Sequence, residues 1–330
     1  MSTKAPASTP SPKPKFSFLK ALPGLGRKKD DVVNILVMGV TGTGKTTFVN
    51  LVSNSNLRVG VGLQSATDVI QKSDEFYLDD SCVSLVDTPG FDDTTKSETE
   101  VLKVLCDYLT SEYAEGRKLH GIIYFHRITD NRVSGSSQKS LNFFKDLAGP
   151  EAQKNCVVVT NMWNQVDQAK GEAREDELKF NDNFLKAAIA NGTTLMRHDN
   201  SLASAQSIVR AMVKNEPVPL ALQKEMVIEK KGLHETVAGR TLLGEWAEEE
   251  QKHQEEMDQL RKDLEEARRA RNTSDVEEIL EEEQRMTKLR AKINSERQTF
   301  AGLGAGSGSE SGKDEERKQR RFSWKALSCC

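Results

Sequence analysis

Val32-Val-Asn-Ile-Leu-Val-Met38 runs directly into Gly39-Val40-Thr41-Gly42-Thr43-Gly44-Lys45-Thr46, and Thr47-Phe-Val-Asn-Leu-Val52 follows. The first piece is a short, β-rich apolar run, suited to a parallel strand buried on both faces. The second fills every fixed position of G-x-x-x-x-G-K-[ST], and the third starts a helix. Strand, glycine-rich turn and helix in that order gather backbone N–H groups and a helix N-terminus around one point, which is what a polyphosphate needs. Gly39, Thr41, Gly42, Thr43, Gly44 and Thr47 are therefore expected to line the phosphates. Lys45 is expected to reach the β- and γ-phosphates, and the Thr46 hydroxyl to ligate Mg²⁺.

Further along, the apolar run Cys82-Val-Ser-Leu-Val86 ends in Asp87-Thr88-Pro89-Gly90, 42 residues after Lys45. An acid at a strand end can hold Mg²⁺ through water, and the Gly90 amide can bond a γ-phosphate. Strand-like and helix-like stretches alternate over residues 31–215. That pattern predicts an α/β domain with a mostly parallel sheet flanked by helices, and the loop motif makes it a P-loop NTPase.

On these motifs the chain resembles the G domains of septins and of the avirulence-induced, immunity-associated (AIG-type) GTPases. It is also similar to a group of fungal G-domain proteins. The resemblance covers about residues 31–240 and implies a G domain, with GTP or GDP as ligand and Mg²⁺. It also implies a switch threonine that reaches both Mg²⁺ and the γ-phosphate. In Val59-Gly-Val-Gly-Leu-Gln-Ser-Ala-Thr67 the matching position is Thr67, the alternative being an ordinary glycine-rich loop. Lys45, Thr67 and Gly90 are then the expected catalytic groups, and Thr46, Thr67 and Asp87 the metal ligands.

Base recognition departs from the pattern. After the strand Asn155–Thr160 comes Asn161-Met162-Trp163-Asn164, where a G domain carries Asn/Thr-Lys-x-Asp. Met162 stands for Lys, and Asn164 offers one neutral acceptor where Asp offers a charged pair, so guanine selectivity should weaken. Asn161 and Asn164 are the expected base-side residues, while Asn164-Gln165-Val166-Asp167 is an alternative register that restores an Asp. Met162 and Trp163 read either as an apolar platform for the base or as packed residues. His198, in the next loop, reads as a ligand contact or a plain loop residue. His126, in Tyr124-Phe-His126-Arg127-Ile-Thr-Asp130-Asn-Arg132, reads as a strand-end histidine or an interface residue. Phe91 follows Gly90 where Ras-like enzymes place the Gln that orients water; Asp92, Asp93, Thr94 and Thr95 come next. Slow intrinsic turnover is expected.

Composition adds the surroundings. Of 330 residues, 36% are hydrophobic and 29% charged, and 47 Lys/Arg against 50 Asp/Glu give a net charge of −3. An excess of positive charge that would favour nucleic acid is absent. No run approaches 18 apolar residues, the length of a membrane-spanning helix. Five cysteines without a C-x-x-C pair make neither a disulfide framework nor a zinc site, so a reduced, cytoplasmic setting is expected.

The charge is unevenly laid out. Residues 1–30 read as a disordered basic arm rather than a secretory signal, and 301–330 as a Gly/Ser linker with a basic tail. That tail, Arg317-Lys-Gln-Arg-Arg-Phe-Ser-Trp-Lys-Ala-Leu-Ser-Cys329-Cys330, combines basic residues, aromatics and two terminal thiols. Lipidation of Cys329/Cys330 would anchor it peripherally at a membrane surface. Residues 216–300 read as a helical extension, either an antiparallel hairpin or a coiled coil that dimerises with another chain. Positions 246, 250, 253, 257, 260, 264 and 267 fall at 4-3 spacing. Ser274-Asp-Val-Glu277 fits a capping box for a second helix, with Val276, Ile279, Met286, Leu289 and Ile293 as its stripe. The expected roles are a GTP switch, or a nucleotide-bound homo-oligomeric scaffold in which turnover is incidental; an ATP-using enzyme is the third reading.

Overall fold

A computed structural model describes residues 32–59, 69–91, 97–130, 135–270 and 273–302. In chain order its elements are β1 (Val32–Gly39), α1 (Lys45–Ser53), β2 (Gln71–Lys72), β3 (Phe76–Leu78), β4 (Ser81–Asp87), α2 (Glu98–Ala114), β5 (Gly121–Arg127), α3 (Gly135–Ala152), β6 (Cys156–Asn161), α4 (Gln168–Phe180), α5 (Lys186–Ala190), β7 (Thr194–Arg197), α6 (Leu202–Arg210), α7 (Ala221–Gln223), α8 (Val237–Ala270) and α9 (Thr273–Gly302). β1 is central, parallel to β4 on one side and to β5 on the other. The order β2-β4-β1-β5-β6-β7 keeps β4 through β7 parallel with β1, while β2 and β3 pair antiparallel with β4 at one edge. This is the doubly wound, mostly parallel sheet that the alternating sequence predicts. Its order reverses between β4–β1 and β1–β5, so the carboxyl ends of these strands open a crevice.

Alternate residues of β1 enter opposite cores, which is why the strand reads as one unbroken apolar run. Ile35 and Val37 pack with Phe48 and Val49 of α1 and Ile208 and Val209 of α6. Leu36 and Met38 pack with Leu102 and Leu105 of α2 and Phe143 and Phe144 of α3. Helices thus cover both faces.

The C-terminal helices form an antiparallel hairpin laid on the second face. The buried Glu225 carboxylate accepts from the Val237 N–H at 3.1 Å and so caps α8. Trp246 is 1% exposed and meets Phe300 edge-on at 5.2 Å. The polar residues that break the two stripes find each other. Glu250 accepts from Arg297 at 2.8 Å and lies 3.9 Å from Arg290, and Arg261 faces Glu283 at 3.5 Å. The α9 seam therefore runs Ile279, Glu283, Met286, Arg290, Ile293, Arg297, Phe300. Leu289, expected on that stripe, is 39% exposed. A 4-3 count that admits the charged residues displaces it by one position. α8 begins at Val237, nine residues before the stripe that opens at Trp246, and α9 begins at Thr273, before the expected Ser274 cap. Ser274 therefore sits inside the first turn of α9 and does not form the expected cap.

Among the described residues no helix is long and apolar enough to cross a membrane. The basic arm 1–30 and the tail, including Cys329 and Cys330, lie outside the described residues, except that α9 extends to Gly302.

Candidate nucleotide site

β1 ends at Gly39, whose φ of 141° and position only glycine accepts, because a methyl there would lie 2.5 Å from the Phe125 carbonyl oxygen. The loop then turns through Gly42 and Gly44, both at positive φ, and Thr43 Oγ1 closes it by donating to Val40 O at 2.8 Å. The first intrahelical bond of α1 runs from Phe48 N to Gly44 O. The N–H groups of Gly44, Lys45, Thr46 and Thr47 therefore precede the helical ladder and form an anion-binding helix end. Lys45 is 6% exposed, and its Nζ donates to the carbonyls of Gly39 (2.9 Å) and Val40 (3.0 Å). The ammonium is held inside the loop that its sequence motif builds.

The parallel register pairs Val37 with Asp87 and so brings the end of β4 to this loop. Thr46 Oγ1 donates to Asp87 Oδ2 at 2.6 Å. The other carboxylate oxygen, Oδ1, is buried and meets no donor among the described residues. Burial pushes the Asp87 carboxyl up to about 6, against the Thr46 hydrogen bond and the Lys45 charge, which both pull it down. A desolvated carboxylate with one idle oxygen, beside a hydroxyl, is the hard oxygen donor set that Mg²⁺ takes. The residues present fit that ion.

The segment after Asp87 is stitched to the phosphate loop. Thr41 N donates to Phe91 O at 3.0 Å, and Val40 and Phe91 form a parallel bridge. Gly90 lies so close that a methyl on it would sit 2.6 Å from Thr41 N and Cα. Thr41 Oγ1 is buried and without a partner among the described residues. Phe91 is 4% exposed and its ring lies 5.4 Å from that of Phe143. The position from which Ras-like enzymes aim a water is here spent on the core. Thr67 and Asp92–Thr95 lie outside the described residues.

At the base-side segment, Asn161 ends β6 and is 2% exposed. Its Nδ2 donates to Thr43 O at 3.0 Å, and its Oδ1 accepts from Met162 N at 2.7 Å. It clamps the phosphate loop to β6, a structural duty that the motif alone did not reveal. Met162 adopts φ 66°, and Asn164 is exposed in the short turn that follows. Asp167, the alternative acid, caps α4 by accepting from Lys170 N at 3.2 Å. Trp163 is packed rather than offered to a base. Its Nε1 donates to Thr160 O (3.2 Å) and Oγ1 (3.1 Å), and the Arg197 guanidinium covers its ring at 4.0 Å.

His198 is likewise a core residue, 2% exposed, with Nδ1 2.7 Å from Ser204 Oγ and the ring edge-on to Phe48. This placement matches a packed residue, with Phe48 and Phe125 on its ring. His126 is buried in β5, which pushes its pKa down to about 4. The next residue, Arg127, carries its guanidinium over Gly42. Sequence reasoning passed over it, although the end of a strand flanking β1 is where side chains reach the crevice.

Comparison with known proteins gives three findings. The family model described as the AIG1 family matches residues 33–215, more than half of the chain. GTP-binding protein A of Dictyostelium discoideum is 27% identical over 133 residues, 40% of this chain and 28% of that protein's length. Among solved structures, Toc33 from Arabidopsis thaliana with Mg²⁺ and GMPPNP aligns at 17% identity and a TM-score of 0.44, over 58% of this chain and 89% of that one. Era from Aquifex aeolicus bound to GDP and AlF4⁻ aligns at 15% identity and a TM-score of 0.42, over 57% and 58%.

Proposed function

The chain belongs to the AIG1 family, and from that premise we propose that it is a GTP-binding switch that uses Mg²⁺ and hydrolyses GTP slowly. The observation that carries this reading is the meeting of Lys45, Thr46 and Asp87 at the carboxyl ends of β1 and β4, with Asp87 Oδ1 buried and idle. In it the loop 39–46 and the start of α1 cradle the phosphates, and Lys45 turns from the Gly39 and Val40 carbonyls to the β- and γ-phosphates. Thr46 and Asp87 are the residues that would hold Mg²⁺. When bound, the ion neutralises charge that develops on the phosphates. Thr67 completes the γ-phosphate contacts, and the Gly90 amide senses that phosphate from the other side.

Slow turnover follows from Phe91, which packs on Phe143 and leaves that position without a group to orient water. The same packing favours a second reading, a nucleotide-bound scaffold that self-associates with negligible turnover. Mass in solution with GDP and with a non-hydrolysable GTP analogue separates the two, since the scaffold changes oligomeric state. Base selectivity rests on the exposed Asn164, which carries one amide acceptor for a guanine edge, while Asn161 supports it by clamping the phosphate loop to β6. Calorimetric titration with GTP, ATP and XTP, with and without Mg²⁺, tests the main reading. Tight binding of GTP strengthened by Mg²⁺ supports it, and equal or preferred binding of ATP overturns it.

The cytoplasmic and peripheral setting completes the proposal, with lipidated Cys329 and Cys330 as the anchor. Fractionation of C329S/C330S tests that part, and retention on membranes equal to wild type would sink it.

A further inference from the structure

Arg127 ends β5 opposite Asn161 of β6 in the parallel register. The turn that carries it is fixed from three directions. Ile128 N donates to Asn161 O at 3.0 Å, Arg174 Nη1 donates to Ile128 O at 2.8 Å, and the Ile128 side chain is 1% exposed. The guanidinium is fixed as well, because its Nε lies 3.1 Å from Asp130 Oδ1. That contact uses only the inner edge of the fork. The outer edge is turned to the phosphate loop, and a methyl placed on Gly42 would lie 3.6 Å from Nη1. Among the described residues Nη1 and Nη2 meet no acceptor, and the side chain retains 31% of its exposure.

A surface Arg–Asp pair by itself contributes little. A guanidinium locked in place by its carboxylate and aimed across a phosphate loop is instead preorganised for an anion, because its ordering cost is met before the ligand arrives. The neighbouring strand gives the arrangement a reason. Beside Asn161, where a G domain carries the lysine of Asn/Thr-Lys-x-Asp, this chain has Met162, so that segment brings no cation to the loop.

We propose that Arg127 is a nucleotide-contact residue. It supplies from β5 the positive charge missing at Met162 and binds a phosphate oxygen of the nucleotide held in its own chain's loop, on the Gly42 side. This deepens the nucleotide-binding reading and rests on it.

The test is calorimetric titration of GTP and GDP into wild type, R127A, R127K, R127Q and K45A, at two salt concentrations, with the mass in solution measured alongside. R127A should lose about tenfold or more in affinity for both nucleotides, the scale of one hydrogen bond to a charged group. R127K should recover most of that loss and R127Q little, and the gap should narrow as salt rises. A protein with a merely structural arginine would show neither the charge dependence nor the salt dependence. R127A within twofold of wild type overturns the proposal, as does R127Q matching R127K. A loss seen only at concentrations where the protein is dimeric also overturns it, by moving the contact to a second copy. Should R127A fail to fold, the R127K and R127Q pair decides by the same criterion. A wild type that binds GTP no better than K45A fails the underlying nucleotide reading instead, a result distinct from all of these.

Discussion

The indole N–H of Trp246 donates a 3.1 Å hydrogen bond to Oε2 of Glu98, the first residue of α2. The two residues are 148 positions apart in the chain. Glu98 opens the helix that follows the Asp87–Gly90 segment, so the bond fastens the C-terminal hairpin to the element next to the phosphate site. Lys139 of α3 joins the same cluster, paired with Glu98 at 3.6 Å and with Glu249 of α8. The next residue, Thr99, donates from N and Oγ1 to Glu296 of α9.

Trp246→Phe keeps a ring against Phe300 but removes the donor, and should cost about 1 kcal/mol. Trp246→Ala also removes the packing and should cost about 3–5 kcal/mol. Urea unfolding of the full chain measures both. A fully neutral alanine variant would show that the hairpin does not stabilise the rest of the chain.

Asp87→Asn should stabilise the nucleotide-free protein while removing the Mg²⁺ dependence of GTP binding. The folded carboxyl sits near 6 against an ordinary 3.8. The fold therefore disfavours the ionised form at neutral pH by about 3 kcal/mol. Asparagine relieves that penalty and still accepts from Thr46, but it is a poor partner for a hard cation. Thermal melts without nucleotide, and titrations with and without Mg²⁺, give the two readouts. A destabilised variant with intact Mg²⁺ dependence contradicts both halves.

Phe91→Gln restores the residue that orients water in Ras-like enzymes, yet it should not raise the rate. The side chain points into the core beneath α3, so the amide would be buried without an assured partner. A loss of about 2–4 kcal/mol is expected, with unchanged or lower single-turnover hydrolysis. A faster variant would mean that this segment re-aims outward.

The stability of the protein should fall in mild acid partly through His126. Burial holds its folded pKa near 4, with the Arg127 charge adding to the effect and Asp130 opposing it. An unfolded histidine titrates near 6.5. Between those values the unfolded chain takes up a proton that the folded chain refuses. The contribution is therefore complete above pH 6.5 and is lost as pH falls toward 4, by about 3 kcal/mol in all. His126→Gln should flatten the curve of unfolding free energy against pH over that interval. Parallel curves for the two proteins would refute the assignment.

The phosphate loop was legible because Gly39 through Thr46 encode their own geometry in one unbroken stretch. Asp87 was legible because a strand end is visible in the residues before it. The features that the sequence did not reveal depend on partners far away in the chain. His198 looks like a loop residue until Phe48 and Ser204 close over it. Phe91 looks like a gap in the chemistry until Phe143 explains it. Glu250 looks like a flaw in the α8 stripe, but its partners, Arg290 and Arg297, lie forty and forty-seven residues on. Arg127 was passed over because its meaning comes from β5 lying beside β1, a pairing no local pattern prints.

Among the described residues, the hairpin's side-chain contacts with the rest of the molecule gather near its base, from Ala238, Leu242, Glu245, Trp246 and Glu249 of α8 to Ile293, Glu296 and Phe300 of α9. Beyond Glu250, its buried residues Met257, Leu264, Ala267 and Met286 belong to neither of the two cores. Some twenty residues of α8 thus run on past the last anchor, about 30 Å at 1.5 Å per residue. The geometry is that of a lever on a short fulcrum. Tilting its base by about 10° would sweep the far end through about 5 Å.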